Sequence, residues 1–308
     1  GQQQVAKGDY RAAQISLRNA VGDDPNDPQA RAALADVNLR LGDVLTADKE
    51  IRRAVELGLR NAKTIDLLGR ILAITDKIGD LNDNLQQAAA LLDQAAAQGA
   101  ELAMLPEYFC LIGQNDADKL AIQEPYGKGP IQQFLADTAR RLKLWIVGGT
   151  LPLTATQADR VFNSTLVFNP QGLCVARYDK IHLFRFDNGV ERYDESCVLE
   201  RGNTPVRFAM ASRDGHRWQV GLSVCYDLRF PELYRSYAQQ GVDLILVPSA
   251  FTHTTGKAHW EVLLRARAIE NLAYVAAAAQ GGVHPNGRHT WGQSIAIDPW
   301  GQVLAERA

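Results

Sequence analysis

Of the nine Phe, five Trp and nine Tyr residues in this 308-residue chain, only Tyr10 lies before residue 70. Aromatic side chains bring the largest apolar area to a core, so the two sides of that boundary cannot share one kind of interior. The first stretch also has no Cys and balances ten basic against ten acidic side chains. A chain of this length accommodates one large domain or two smaller ones. The composition break favours two, residues 1–69 and 70–308.

The first region repeats on itself. Gly8-Asp9-Tyr10 with Ala13 recurs as Gly42-Asp43-Val44 with Ala47, and Leu17, Ala20, Val21 and Leu34 match Ile51, Ala54, Val55 and Leu68, all 34 residues apart. Small residues recurring at that period resemble tetratricopeptide repeats, in which paired helices cross closely. Pro25 and Pro28 punctuate the turn, and Asp27 stands as the N-cap of a helix from Pro28. The expectation is an all-α segment of about two repeats and the first helix of a third. Such a segment offers a surface to a protein partner.

From about residue 70 the pattern becomes strands alternating with helices. A helix is expected over 82–98, then strands over 101–105, 144–148, 161–168 and 173–178. Asn169-Pro170-Gln171-Gly172 is the hairpin turn between the last two. Further strands are expected over 218–225, 243–247, 273–279, 294–297 and 301–304, with helices near 231–240 and 256–271. This order argues for an α/β domain with a mixed sheet.

Three chemically capable side chains fall at the ends of these strands. Cys225 closes the apolar run from Val220 and precedes Tyr226-Asp227-Leu228-Arg229-Phe230-Pro231-Glu232. Glu107 follows Leu105-Pro106, and Lys180 follows Tyr178-Asp179. Strand ends on one edge of an α/β sheet are common ligand sites. A lone Cys there is equally a small buried hydrophobe, and a lone Glu or Lys a surface charge. The three together are harder to dismiss.

These segments resemble the nitrilase superfamily, the carbon–nitrogen hydrolases with a Glu-Lys-Cys catalytic set. Supporting runs are Gly148-Gly149-Thr150, Asn163-Ser164, Pro248-Ser249-Ala250-Phe251 and Arg265-Ala266-Arg267-Ala268-Ile269-Glu270-Asn271, all in order. The resemblance implies a four-layer α-β-β-α sandwich, usually dimeric through its outer helices. It implies Cys225 as nucleophile, Glu107 as general base and acid, and Lys180 as the cation that lowers the thiol pKa and faces the oxyanion. The Tyr226 N–H would be the second oxyanion donor. Glu195 would orient Lys180, with Glu191 nearby as the competing choice. Within the superfamily, Phe184-Arg185-Phe186-Asp187, Phe251-Thr252-His253-Thr254-Thr255-Gly256 and Trp291-Gly292-Gln293-Ser294 resemble the branch acting on deaminated glutathione or on ω-amides. Arg229 and Tyr108 are then candidates to bind substrate. The family's opening strand would fall at 71–76, where the repeat pattern equally continues. The chain ends soon after the 301–304 strand, so the hydrolase reads as C-terminally truncated, and Gly1 without a Met suggests an excised piece.

Other classes fit less well. A net charge of −2 does not suit a nucleic-acid binder, and the longest apolar run, residues 272–279, is too short to cross a membrane. Cys110, Cys174, Cys197 and Cys225 form no CxxC pair, so neither a disulfide framework nor structural zinc is expected, and reduced thiols suit the cytoplasm. No HExxH motif or P-loop is present, so no metal, nucleotide or other cofactor is expected. His182, His253, His259, His284 and His289 keep a Cys-His-Asp hydrolase open, although no spacing selects one of them. A nitrilase, an N-carbamoyl amide hydrolase, and a non-catalytic repeat protein carrying an inactive hydrolase domain are the remaining alternatives.

Overall fold

The computed structural model describes residues 4–5 and 7–307, and the chain divides into two compact units, Gly1–Asp80 and Leu81–Ala308. The first contains α1 (Tyr10–Asp23), α2 (Pro28–Arg40), α3 (Val44–Glu56) and the opening part of α4 (Ala62–Ala97). The 34-residue recurrence appears here as helix starts. Asp9 and Asp43 each accept the N–H three residues on, and Asp27 and Asn61 do the same for the following helices. Gly8 and Gly42, one residue before the aspartates, both have the positive φ that favours glycine. Ala13 with Leu17 and Ala47 with Ile51 occupy equivalent buried positions.

The strand alternative for 71–76 is overturned, because these residues lie within α4. Ile71 packs with Ala47, Ile51 and Leu67, which is a helical spacing, and the Thr75 hydroxyl donates to the Ile71 carbonyl one turn back.

The second unit holds two six-stranded sheets. The first comprises β1 (Leu102–Met104), β2 (Trp145–Val147), β3 (Leu151–Thr154), β4 (Val161–Phe168) and β5 (Cys174–Asp179). It is completed, after a hairpin of β6 (Arg185–Asp187) and β7 (Arg192–Asp194), by β8 (Leu199–Glu200). Strand β4 is its centre, pairing with β2 and β3 on one edge and with β5 and β8 on the other. The second sheet contains β9 (Arg207–Ala211), β10 (Arg217–Leu222), β11 (Leu244–Leu246) and β12 (Tyr274–Ala277). After the separate hairpin of β13 (Gly281–Val283) and β14 (His289–Trp291) come β15 (Ser294–Ile297) and β16 (Val303–Arg307). Its order is β16-β15-β12-β11-β10-β9, with β10, β11 and β12 parallel.

Successive residues of a strand face opposite ways, and here both faces of the first sheet are buried. Ile146, Leu166 and Phe168 pack with Leu92 of α4 and with Leu135 and Ala139 of α5 (Pro130–Leu142). Their neighbours Val147 and Val167 join Val220, Leu222 and Ile245 of the second sheet. The same core continues to Tyr234 of α6 (Pro231–Gln239) and to Trp260 and Leu264 of α7 (His253–Asn271). Helices, sheet, sheet and helices therefore follow one another. The expected strand over 218–225 ends earlier, at Leu222, because Cys225 begins a one-turn 3-10 helix. β3, β8 and the two short hairpins were not expected from the sequence, being too short or too irregular to show a period, and β9 was missed although Arg207–Ala211 alternates exposed and buried residues.

One buried carboxylate ties the sheets together. Asp227, fully buried, accepts on Oδ2 from the Tyr178 hydroxyl at 2.6 Å and the Val224 N–H at 2.8 Å, while Oδ1 accepts from the His182 N–H at 3.0 Å and bonds His182 Nδ1 at 2.7 Å. It thereby fixes the end of β5 against the turn after β10. Tyr178→Phe removes one donor from this carboxylate, and an expected loss of about 1 to 3 kcal/mol would appear as a lower urea midpoint at unchanged m value.

Candidate active site

The ends of β1, β5 and β10 each deliver one side chain to the same place, and each is held by its local backbone. Past β1, Tyr108 has φ +56° and its N–H donates to Thr150 Oγ1 at 2.9 Å. Gly149 permits this approach, since a Cβ there would sit 2.1 Å from the Pro106 carbonyl oxygen. The Gly148-Gly149-Thr150 run thus shapes the loop that presents Glu107. Past β10, Cys225 has φ +48°, a conformation a non-glycine residue holds only when its surroundings fix it. Its N–H donates to the Pro248 carbonyl, and Arg267 donates twice to the Leu228 carbonyl at 3.0 and 2.8 Å. The 265–271 run therefore buttresses the Cys225 turn from α7.

Glu107 is 1% exposed. Its Oε1 accepts from Asn163 Nδ2 and Lys180 Nζ, both at 2.9 Å, and its Oε2 from the Ala250 N–H at 2.7 Å. The Cys225 thiol lies beside this carboxylate, close enough for each group to shift the other's titration. Lys180, equally buried, reaches Glu195 Oε1 at 3.0 Å and Oε2 at 2.9 Å. Glu195 further accepts from the Tyr108 hydroxyl at 3.2 Å and the Phe184 N–H at 2.7 Å. Glu191 lies apart from this cluster, bonded to Thr254 and Tyr193.

Burial drives each of these groups toward its neutral form, and the pairings decide how far. For Glu107, burial acts upward, but the Lys180 charge and hydrogen bond, with those of Cys225 and Ala250, hold the carboxyl below the usual carboxylate range. Burial acts downward on Lys180, and Glu107 and Glu195 override it, keeping the amine charged. The Cys225 thiol goes well up. Burial is the largest cause and the Glu107 carboxylate the next, and Lys180 only partly opposes them. The Lys180 charge does act downward on the thiol, and burial with the Glu107 carboxylate outweighs it. The favoured resting state pairs a neutral thiol with an ionised glutamate.

Cys225 and Glu195 line a narrow pocket whose walls include Phe184, Tyr226, Phe251, Thr252 and Arg288. Tyr226 follows the nucleophile candidate as the second residue of the 3-10 helix, where helical N–H groups lack intrahelical acceptors. Tyr108 stands behind Glu195 rather than in the cavity wall, and the Lys119 ammonium lies 4.6 Å from its ring centroid. Arg229 does not line the cavity. Its guanidinium lies over the rings of Tyr226 and Phe251, which do, and bonds His259. The thiol's side-chain partner is a glutamate and not a histidine. His182 is occupied by Asp227 and stacks on Phe230 at 3.6 Å. Among the described residues no cluster of three or more His, Cys, Asp or Glu could hold a metal.

Asn163, the Ala250 N–H and Arg288 are parts of the site that sequence reasoning did not assign. Asn163 and Ala250 stood in supporting runs, but a bond to a residue 56 or 143 positions away leaves no local mark. Arg288 belongs to a short hairpin, whereas a cation was sought next to Cys225 in the chain.

Residues 69–308 match the carbon-nitrogen hydrolase family. The deaminated glutathione amidase of Synechocystis sp. is 43% identical over 230 residues, covering 74% of this chain and 82% of that protein. The omega-amidase NIT2 of Homo sapiens is 38% identical over 227 residues, covering 73% and 79%. Among solved structures, Nit3 of Saccharomyces cerevisiae, a member of branch 10 of the nitrilase superfamily, superposes with a TM-score of 0.64 at 31% identity, covering 74% of this chain and 81% of that one.

Thiol plus carboxylate and thiolate plus carboxylic acid carry the same number of protons, so Cys225 reactivity should not follow a free thiol's titration. Iodoacetamide labelling of Cys225 is expected to stay level from about pH 5.5 to 8.5 and to fall only below the ordinary glutamate value of about 4.3. In Glu107→Gln the labelling should be much slower at neutral pH and rise steeply with pH.

Proposed function

The chain belongs to the carbon-nitrogen hydrolase family, and from that premise we propose that Cys225, Glu107 and Lys180 carry out thiol-dependent hydrolysis of a small-molecule amide. The chain is a carbon-nitrogen hydrolase of the amidase kind. The single observation that best supports the assignment of roles is the buried Glu107 carboxylate, which is hydrogen-bonded to the Lys180 ammonium and lies beside the Cys225 thiol.

Sulfur attacks the amide carbon as Glu107 removes the thiol proton. A C–S bond forms and the carbonyl π pair moves to oxygen. The oxyanion faces Lys180 Nζ and the Tyr226 N–H, both fixed beforehand, so no reorganisation is needed as charge develops. When the oxyanion collapses, the C–N bond breaks and Glu107 returns its proton to the leaving nitrogen, which departs as ammonia or amine. Glu107 then takes a proton from water as it attacks the thioester, the acid is released, and the proton goes back to sulfur. Lys180 stays cationic throughout, oriented by Glu195. Tyr108 acts through Glu195, and Arg229 backs the Tyr226 and Phe251 walls. The proposed mechanism uses no cofactor.

The substrate we favour is an ω-amide or deaminated-glutathione type compound, which the names of the relatives support. Those names also favour an amide over a nitrile or N-carbamoyl substrate, and nothing in the site favours an inactive hydrolase domain. We further propose that the N-terminal helices are tetratricopeptide-like and serve a protein partner, which the 34-residue recurrence of caps supports. The family match from residue 69 supports a boundary near residue 70. A homodimer through α7 is supported by its exposed Val262, Ile269 and following Leu272. A cytoplasmic setting is supported by four free cysteines, and no helix of the described residues is long and apolar enough to cross a membrane.

Ammonia release from a panel of ω-amides, nitriles and carbamoyl compounds tests the reading. Turnover of at least one amide is expected, and Cys225→Ser should abolish it. Glu107→Gln should lower kcat about 100- to 10,000-fold. A folded protein with no turnover of any compound would sink the enzymatic reading. Activity retained in Cys225→Ser would sink the mechanism.

A further inference from the structure

The two oxygens of the Glu107 carboxylate are held by different sheets. Oε1 accepts from Asn163 Nδ2 and Lys180 Nζ, which belong to the first sheet, one on β4 and one past the end of β5. Those two residues are also tied to each other, because the Lys180 N–H donates to the Asn163 carbonyl at 3.0 Å. Oε2 accepts from the Ala250 N–H, in the loop that follows β11 of the second sheet. The same loop carries Pro248, whose carbonyl accepts from the Cys225 N–H, and Ala250 shares the pocket wall with Cys225. Oε2 is therefore the oxygen held by the segment that borders the nucleophile.

An ionised carboxylate offers about four acceptor positions, shared equally between its oxygens. Asn163 and Lys180 fill those of Oε1. Among the described residues no N–H other than that of Ala250 reaches Oε2, so this oxygen keeps a position open. Asn163 itself is 1% exposed, and its Oδ1 is buried with no partner among the described residues. Turning the amide over would set that oxygen against the carboxylate, so the NH2 side faces Glu107. An unpaired buried oxygen is unfavourable, and a leucine of similar volume would pack without one. The bond to Glu107 accounts for the amide.

We infer that Asn163 is a positioning residue for the general base: with Lys180 it fills Oε1, so that the catalytic proton is carried on Oε2, on the side of Cys225. As sulfur attacks, the S–H bond breaks and an O–H bond forms on Oε2, while Oε1 becomes the carbonyl oxygen of the neutral acid. The O–H then breaks as the leaving nitrogen takes the proton. Asn163 keeps Oε1 occupied while Lys180 turns toward the oxyanion. The inference rests on the amidase reading above and adds the oxygen that carries the proton and the residue that selects it.

Iodoacetamide labelling of Cys225 against pH tests it without turnover. In Asn163→Leu the fall of labelling at low pH should begin about one pH unit higher than in the unaltered chain, because a carboxylate that loses a donor is protonated more readily. Asn163→Thr, whose branched side chain suits a strand and whose hydroxyl is too short to reach Glu107, should show the same rise. An equal loss of labelling at every pH, with the fall unmoved, is what a packing role would give and overturns the inference. Infrared difference spectra against Glu107→Gln, taken below the fall, read the oxygen itself. With the proton on Oε2, the C=O band of the neutral acid should move to higher frequency in Asn163→Leu, since its oxygen loses a hydrogen bond. A band that stays in place would put the proton on Oε1 and overturn the assignment. Both expected results in a chain that hydrolyses no amide would fault the amidase reading alone.

Discussion

The site depends on Lys180 being paired on both sides. An ammonium excluded from water is tolerated only when its charge is met nearby and its protons are accepted. Glu107 and Glu195 do both, each within about 3 Å. The same contacts keep two carboxylates ionised where burial alone would neutralise them. Arg288, near the same groups, brings the cations level with the anions. The cluster stays close to neutral without the thiol having to ionise, which favours a protonated Cys225.

That arrangement explains why the backbone is strained where it is. The Glu107 loop and the Cys225 turn come from different sheets, and both must bring short side chains to a single lysine. Tyr108 and Cys225 are held at positive φ in doing so. The cost is borne by the surrounding hydrogen bonds: Thr150 beneath one loop, Pro248 and Arg267 beside the other. Asp227 then fixes the spacing between the strand that ends in Lys180 and the turn that begins at Cys225.

Much of this could be read in the sequence, for a definite reason. Glu107, Lys180 and Cys225 lie directly after strands, so their positions follow from local pattern, and flanking prolines and glycines mark the turns that present them. The recurrence in the first region was legible because Asp9, Asp27 and Asp43 act on their own helices. What was not legible involved partners distant in sequence. Asn163, Ala250 and Arg288 acquire meaning only when the two sheets close on each other, and no spacing announces that. The lysine's downward pull on the thiol is visible in a motif, whereas the burial that outweighs it is not. The opening strand was left undecided because a four-residue apolar run serves either period, and α4 settles it as helix.

The central claim is that the site rests with a neutral thiol and an ionised glutamate. Infrared difference spectroscopy at neutral pH, comparing the unaltered chain with Cys225→Ala, tests it directly. The account predicts an S–H stretching band that disappears in the variant, with no carbonyl band from a protonated Glu107. A missing S–H band together with a protonated-carboxyl band absent from Glu107→Gln would contradict it.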